Sequence, residues 1–294
     1  MAGSSRSHEW VAPALLASAF VHVGELNLFP VKSLRGVSVE SAGVERQGLA
    51  GDRRWMVVDE SGATLTARKH PEMLAITATP AAGGVVLHAA GQDPLSVSEP
   101  AGPADTAVTL SRVGVAAAAD GRAHAWLSEV LGRPVRLVWL DDPARRPMSQ
   151  AHGGEPGDLL SLADDGPLLV TTAASLRQLD VWAAEEARAR GEAPAPLVME
   201  RFRPNLVVAG DDVEPFAEDS WRRLRIGGVE YRFAEHCDRC VLTTVDPQTL
   251  ARGKEPLRSL ARHRRWDGKV WFGVRVAPVG TGRVAVGDEV VVTG

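Results

Sequence analysis

Short runs in which apolar and polar residues alternate recur along most of this chain, and glycine-containing turns separate them. Residues 37–40 and 64–68 are two examples, and residues 83–88 continue the same style of short strands and turns. Alternation places successive side chains on opposite faces of a strand, so each run predicts a β-strand with one buried face. Many short strands at this spacing are typical of a barrel or sandwich. The sequence therefore predicts a mostly β protein with a few helices, in the α+β class.

Two stretches have helical spacing instead. Residues 125–131 predict one short helix, and Gly132 and Pro134 would end it, since glycine adopts the left-handed conformation and proline cannot continue the helix. The second helical pattern ends before Gly191. Its apolar positions are Leu176, Leu179, Trp182, Ala183 and Ala187. We predict that Trp182 belongs to the core and is not a platform for a ligand.

The rest of the second half returns to strands and turns. The predicted strands are 167–171, 206–208, 221–226, 229–233, 271–276 and 284–292. Two of them flank the Gly227-Gly228 turn, as expected for a hairpin. Residues 141–158 are rich in proline, glycine and charge, and they predict an exposed connection.

Composition argues against several classes of function. The 294 residues carry a net charge of -4, which argues against a nucleic acid or an anionic membrane as partner. No apolar run approaches the length of a membrane span. The chain has 2 cysteines, too few for a disulfide framework, so a reducing cytoplasm is the expected location. Residues 1–18 predict a flexible arm.

Both cysteines lie in one short stretch, residues 235–247, with the sequence EHCDRCVLTTVDP. Cys237 and Cys240 form a Cys-x-x-Cys pair, which occurs in redox dithiols, in zinc sites and as two ordinary buried thiols. A zinc site needs a second pair of ligands, but the histidines are scattered. A redox dithiol should open a helix, whereas residues 241–245 predict a strand. These residues alone leave inert and reactive thiols as open alternatives.

Three cationic or polar segments lie where predicted loops meet strands, a common place for binding sites. They are Lys32-Ser33, Arg53-Arg54 and Arg203-Pro204-Asn205. Arginine offers a rigid fork of donors suited to phosphate, and lysine offers a point charge. If the segments converge, they form a pocket for a phosphorylated cofactor; otherwise they are solvated surface groups. The sequence has no dinucleotide-binding, Walker-type or nucleophile-elbow motif.

Several motifs occur in an order that resembles a known family. They are FPVKSLRG at 29–36, GDRRW at 51–55, TAR at 66–68, RPN at 203–205, CDRCVLTTVDP at 237–247, KEPL at 254–257 and VGD at 286–288. Together they resemble the MOSC superfamily, in particular its two-part members such as the mitochondrial amidoxime-reducing component family. The resemblance covers nearly the whole chain from residue 19. It implies an N-terminal MOSC-type β-barrel domain over 19–140, packed on a MOSC β-barrel domain over 141–294.

The resemblance implies a molybdenum cofactor, Mo-molybdopterin, in which the dithiolene of a phosphorylated pterin holds the metal. It makes Cys240 the catalytic residue and the protein ligand of molybdenum, a role that suits a soft thiolate. Cys237 would be structural. The residues at the family's cofactor-binding positions are Lys32, Ser33, Arg53, Asp165, Gly166, Arg203, Asn205, Asp238 and Arg239. Pyridoxal phosphate binding is a further family property that the resemblance implies.

The implied function is a molybdenum-dependent oxidoreductase that reduces small N-hydroxylated compounds by removing oxygen. A separate electron-donor protein, ferredoxin-like or cytochrome-like with its reductase, is required, because two cysteines cannot hold an iron–sulfur cluster in the usual four-thiolate manner. The expected protein is a cytoplasmic monomer with no nucleic acid and no membrane partner. Two alternatives stay open: a sulfur carrier or sulfurtransferase with a persulfide on Cys240, and a non-catalytic module that binds the cofactor.

Two segments depart from the family pattern. Residues 163–166 carry acidic side chains where small hydroxyl residues are common, and Val274-Arg275 replaces a polar or aromatic pair. The second change falls at the predicted substrate entrance, so the resemblance does not carry the identity of the substrate.

Overall fold

The computed structural model describes residues 20–110 and 113–294, and strands make up most of its regular structure. The predicted arm of residues 1–18 lies outside the described residues. The strands, in chain order, are β1 His22–Leu28, β2 Val37–Ser38, β3 Ser41–Glu45, β4 Gly48–Leu49, β5 Trp55–Val58, β6 Thr77–Ala81, β7 Gly84–His88, β8 Leu95–Ser98, β9 Thr106–Ala107, β10 Val115–Ala118, β11 Arg136–Trp139, β12 Leu168–Thr172, β13 Leu206–Ala209, β14 Arg223–Ile226, β15 Val229–Asp238, β16 Arg265–Trp266, β17 Lys269–Pro278, β18 Gly282–Ala285 and β19 Val290–Val292. The α-helices are α1 Gly121–Leu131, α2 Ala173–Ala189 and α3 Leu257–His263. The predicted fold class is therefore confirmed.

One large, curled sheet organises the molecule. Its strand order is β19-β14-β15-β17-β12-β13-β1-β2, and β16 pairs with β17 beside it. Three smaller sheets have the orders β5-β11-β10-β9, β18-β3-β4 and β6-β7-β8. Strand β1 pairs with β13, and β3 pairs with β18, so residues 22–45 share sheets with the second half of the chain. The two halves are consequently interlocked.

The chain passes several times between the two largest hydrophobic cores of the described structure. One core contains Trp55 and Leu127, and the other contains Leu206 and Tyr231. Leu28 packs in the second core while Val31, three residues later, packs in the first. The segment after β15 makes another crossing, since Val245 also packs in the first core. The polar residues of these crossing segments therefore lie near the boundary between the cores.

The predicted helices are confirmed, with caps that explain their ends. The Asp120 side chain accepts a hydrogen bond from the Ala123 amide at the start of α1, and Gly132 ends the helix with φ 63°. In α2, Trp182 stacks on His263 with ring centroids 4.2 Å apart and packs against the adjoining core. This packing agrees with the predicted core role of Trp182. None of the helices in the described parts of the chain is long and apolar enough to cross a bilayer.

Three local predictions are wrong. Residues 241–245 were expected as a strand but form the 3-10 turn Val241–Thr244, because the Thr243 and Thr244 hydroxyls bond the preceding carbonyl groups and favour a turn. In residues 64–68 only Thr64 pairs, in a single bridge to Val58. The connection 141–158 is not simply exposed, because Arg146 and Met148 are 4% and 5% exposed.

Candidate functional site

One open cavity brings together every site residue that the sequence predicted. These are Lys32, Ser33, Arg53, Asp165, Gly166, Arg203, Asn205, Asp238, Arg239 and Cys240. The cavity draws on the turn after β1, the turn after β4, the loop before β12, the approach to β13 and the end of β15. Each of the three cationic or polar segments contributes at least one residue to this cavity, so the alternative in which they converge is the one observed. The roles of these residues toward a ligand stay predictions.

The backbone is unusual at three of these residues. Ser33, Arg53 and Arg203 have φ angles of 69°, 49° and 56°, in the left-handed region that side chains other than glycine disfavour. Six non-glycine residues in the described chain have positive φ, so half of them line this cavity. Strained backbone persists where the surrounding structure enforces it, commonly at functional sites. The positions of these side chains are therefore fixed at a cost to folding.

Two guanidinium groups share one aromatic ring on one side of the cavity. Arg53 and Arg203 lie over the ring of Phe29, at 4.7 and 4.3 Å from its centroid. We call these three residues the Phe29 cluster. Arg53 pairs with the buried Asp52 and donates to the Asn205 side chain at 3.2 Å. Cation–π contact with a buried ring therefore holds two like charges close together.

Arg203 has no anionic partner. Among the described residues its guanidinium makes no hydrogen bond and no ion pair, and its aromatic contact is with Phe29. Burial, followed by repulsion from Arg53, lowers the pKa of Arg203 from 12.5 to about 9. Five N–H donors on this side chain are thus available to an anion in the cavity.

Lys32 and Arg68 meet the carboxylate of Asp164 beside them. The Lys32 ammonium donates to Asp164 and, at 2.8 Å, to the Leu162 carbonyl. Burial lowers the pKa of Lys32, and Asp164 opposes that effect. Arg68 contacts both Asp164 and the Cys240 sulfur; burial lowers the pKa of Arg68, but these two partners outweigh burial and raise it. A guanidinium therefore lies beside the Cys240 sulfur.

The two cysteines have different surroundings. Cys240 is exposed to the cavity, at the N-terminal boundary of the 3-10 turn Val241–Thr244. Cys237 is buried, and its sulfur accepts a hydrogen bond of 2.8 Å from Arg239, which also donates to the Phe202 carbonyl. Cys240 is thus the thiol that is available to a ligand, while Cys237 is tied into the wall.

On the other side of the cavity, Arg275 is surrounded by carboxylates. Its guanidinium lies 2.5 Å from Glu235, 3.2 Å from Asp165 and 3.2 Å from Asp238. We call these four residues the Arg275 cluster. Burial lowers the pKa of Arg275, but the charges of Cys237, Glu235 and Asp165 outweigh burial and raise it above its ordinary value. This cation is fully neutralised by its protein partners.

His152 joins this acidic wall from a neighbouring loop. Its Nδ1 lies 3.0 Å from a Glu235 oxygen, and its Nε2 lies 3.5 Å from an Asp165 oxygen. These three side chains place potential metal ligands within 4.8 Å of one another. However, the two carboxylates face opposite nitrogens of one ring, and Arg275 already contacts both of them. We assign no metal to this group, because its charge is compensated without one.

Sequence reasoning missed several residues that line the cavity. Arg68 belonged to a noted motif, Asp164 is adjacent to a predicted residue, and Arg275 was noted as a departure, so signals for these three existed. Arg201 had no local signal; it lines the cavity and pairs with Asp246 at 2.6 Å. Conversely, Arg54 points away from this site, since it donates to the Leu140 carbonyl and lies over the Trp139 ring.

Comparison with known proteins assigns the chain to a family. The model of the MOSC N-terminal beta barrel domain matches residues 20–134, and the model of the MOSC domain matches residues 151–291. Mitochondrial amidoxime-reducing component 1 of Homo sapiens is 34% identical over 292 residues, which cover 92% of this chain and 83% of the human protein.

Molybdenum cofactor sulfurases are also similar. The protein of Danio rerio is 35% identical over 268 residues, which cover 86% of this chain but 31% of the sulfurase. The protein of Oryza sativa subsp. japonica is 30% identical over 271 residues, covering 86% of this chain and 32% of the sulfurase. The chain thus spans about a third of the length of these sulfurases. By the two domain matches and the extent of similarity to the human protein, the chain belongs to the MOSC family, as a member with an N-terminal MOSC β-barrel domain followed by a MOSC domain.

Proposed function

We propose that this protein binds the molybdenum cofactor and uses it to reduce N-hydroxylated compounds. The observation that carries the proposal is the presence of an exposed thiol, Cys240, and an unpaired guanidinium, Arg203, in one cavity. The names of the similar proteins, an amidoxime-reducing component and molybdenum cofactor sulfurases, support a function related to this cofactor.

The residues present fit such a group. A phosphorylated pterin is an anion, and the Phe29 cluster offers unpaired positive charge at fixed positions. A metal held by a dithiolene accepts a soft ligand, and the sulfur of Cys240 is exposed in the cavity beside the Arg68 guanidinium. Lys32, Arg53, Arg203 and Asn205 would hold the pterin and its phosphate, and Cys240 would ligate the metal.

The bound cofactor would supply two-electron redox chemistry and an acceptor for the substrate oxygen. In the overall reaction the N–O bond breaks: one N-hydroxy compound, two electrons and two protons give the parent amine or amidine and one water. The protein's own part is to hold the cofactor with its cations and to orient Cys240 through the turn Val241–Thr244. The electrons would come from a separate donor protein. The donor, the monomeric state, the cytoplasmic location and pyridoxal phosphate binding stay predictions.

A sulfur carrier with a persulfide on Cys240 is the second candidate. It is favoured by the exposure of this thiol beside Arg68 and by the similarity to part of the molybdenum cofactor sulfurases. A persulfide adds one labile sulfur to the protein, so the whole-protein mass after gentle purification distinguishes the candidates. A gain of one sulfur atom that dithiothreitol removes, in protein without molybdenum, would support the carrier.

The proposed reduction is tested by turnover of benzamidoxime to benzamidine with reduced methyl viologen as electron source. We expect turnover by the protein from a host that makes the pterin cofactor, and a loss of at least 100-fold in Cys240→Ser. Cys237→Ser is the matched thiol substitution and should lose less activity, since Cys237 is buried in the wall. Full activity of Cys240→Ser would contradict the proposal. A molybdenum-loaded wild type with no turnover would instead indicate a module that only binds the cofactor.

A further inference from the structure

We propose that Arg275 is a positioning residue that fixes the spacing between two walls of the cavity. One wall is the loop 163–166, and the other is the end of β15 that leads to Cys240. The inference rests on the proposed function, because it concerns the site at which the cofactor would be held. It gives Arg275 a different role from the other cations of the cavity.

The guanidinium of Arg275 joins the two walls directly. Its Nη1 contacts Glu235, which lies opposite Arg275 in the pairing of β15 with β17. Its Nη2 contacts Asp165 of the loop and Asp238 of the strand end, each at 3.2 Å. The planar fork of arginine can hold several carboxylates in a fixed relative orientation, which a lysine ammonium cannot do with the same geometry.

The aliphatic part of the same side chain supports the loop. A Cβ added to Gly166 would lie 2.8, 2.9 and 3.1 Å from the Cβ, Cδ and Cγ atoms of Arg275. The backbone of the loop therefore rests on the Arg275 side chain without room for any larger residue. Gly166 therefore packs directly against the Arg275 side chain, and this contact sets the distance between the loop and β17.

The ion pairs of Arg275 distinguish its role from that of the cations proposed to bind an anion. Its side chain is 12% exposed, and its charge is met by three carboxylates. Arg203 has no charged partner in the described parts of the chain and is therefore available to a ligand anion. Without Arg275, the carboxylates of Glu235, Asp165 and Asp238 would repel one another across the two walls.

Displacement of these walls would alter the cofactor site. Asp238 lies two residues before Cys240, and Asp165 adjoins Asp164, which contacts Lys32 and Arg68. A change in their spacing would therefore move both the thiol and the cations on which binding depends. A merely structural ion pair elsewhere in the fold would have no such effect.

Arg232 provides the matched control. It lies on β15, is 15% exposed, and pairs with Glu155 at 3.2 Å and with Asp158, yet it does not line the cavity. Four variants are compared with the wild type, all purified from a host that makes the pterin cofactor: Arg275→Met, Arg275→Lys, Arg232→Met, and Arg275→Met combined with Glu235→Gln. The measurements are molybdenum per folded protein, the free energy of unfolding in urea, and kcat and KM for benzamidoxime.

We expect Arg275→Met to retain at most a fifth of the wild-type molybdenum per folded protein, and Arg275→Lys to retain an intermediate amount. Adding Glu235→Gln should restore at least half of the loss, since it removes one uncompensated charge. Arg232→Met should unfold more easily but keep its molybdenum within twofold of wild type.

Wild-type molybdenum content and kcat in folded Arg275→Met would overturn the positioning role, whether or not its unfolding free energy fell. Equal losses of molybdenum in Arg275→Met and Arg232→Met would overturn it as well, because the effect would then follow from stability alone. If the wild type contained no molybdenum, the proposed function would fail first. In that case the unfolding free energies still test the contact itself. A lack of coupling between Arg275→Met and Glu235→Gln would overturn the role of Arg275 in joining the two walls.

Discussion

The Phe29 cluster and the Arg275 cluster use the same type of side chain in opposite ways. In the first, Arg53 and Arg203 are held against one ring, and Arg203 has no charged partner among the described residues. In the second, Arg275 meets three carboxylates. A cation that loses water without gaining an anion destabilises the folded protein, whereas a cation paired with carboxylates is already compensated. This difference supports our proposals that Arg203 of the Phe29 cluster meets a ligand anion and that the Arg275 cluster keeps the cavity in shape.

Glu218 is a third case, a buried ionisable group that can lose its charge by taking up a proton. This carboxyl is fully buried and accepts hydrogen bonds from the Ser175 and Thr172 hydroxyls, but no cation pairs with it in the described structure. Burial raises its pKa to about 7, so it takes up a proton readily. Arginine at neutral pH keeps its charge even when its pKa is lowered. The charge of Arg203 therefore remains uncompensated unless an anion binds beside it.

The largest expected effect comes from removing the unpaired cation. Arg203→Met should weaken anion binding at least tenfold and at the same time stabilise the cofactor-free protein. At pH 7.5, below the lowered pKa of about 9, the folded protein holds this charge at a cost in free energy. Loss of the contact with Phe29 offsets part of the gain, so we expect a net increase of about 1–2 kcal/mol in unfolding free energy.

Urea unfolding and calorimetric titration with inorganic phosphate, on protein from a host without the pterin cofactor, measure the two effects. Arg225→Met removes an exposed guanidinium on β14 and is the matched control. Its unfolding free energy and its affinity for phosphate should both be near those of the wild type. If Arg203→Met destabilised the cofactor-free protein and left phosphate binding unchanged, the distinction between the two clusters would be lost.

A smaller effect is expected from Lys32 at alkaline pH. Burial lowers the pKa of Lys32, so its positive charge, and with it the affinity for phosphate, should be lost as the pH rises through a value below 10.5. Asp164→Asn removes the partner that raises this pKa, so the loss should begin at lower pH. Lys32→Arg keeps the charge at position 32 throughout, so its affinity should fall less than that of the wild type, and the remaining fall should follow Arg203, whose pKa is about 9. Phosphate titrations across this range measure the profiles, and identical profiles in all three proteins would contradict the assignment.

The smallest functional effect, and a clear effect on stability, is expected at Glu218. Its pKa is about 7 in the folded protein against 4.5 as the ordinary value, so its contribution to stability is fully present below pH 4.5 and is lost as the pH rises through 7. This loss amounts to about 3 kcal/mol at most. Glu218→Gln should remove the loss without changing phosphate binding, as seen by urea unfolding from pH 4.5 to 8. Glu230→Gln, at an exposed position on β15, should behave as wild type; a profile of Glu218→Gln that still fell with pH would refute the explanation.

Strand periodicity and caps were sufficient to predict most of the fold. The short strand at 84–88, the Gly227-Gly228 hairpin and the caps of α1 are local, so the sequence carries them. The turn at 241–244 was missed because the threonine hydroxyls outweigh the strand preference of β-branched residues. The sharing of sheets between residues 22–45 and the second half depends on long-range pairing that no local pattern shows.

The residues of the cavity were predictable through family motifs, but their electrostatics were not. All predicted members line the cavity, yet whether a cation is paired depends on residues far apart in sequence, such as Arg275 and Asp165. The same holds for Asp164, which meets Lys32 132 positions earlier. Only the folded structure distinguishes Arg203, which has no anionic partner among the described residues, from Arg275, whose charge is met by carboxylates of the protein.

The most direct test of the central claim is the molybdenum content of the protein, measured by elemental mass spectrometry after purification from a host that makes the pterin cofactor. The structure predicts close to one molybdenum per wild-type chain and a clear reduction in Cys240→Ser and in Arg203→Met, with Arg225→Met unchanged. A well-folded wild type without molybdenum would contradict the claim that this cavity holds the cofactor.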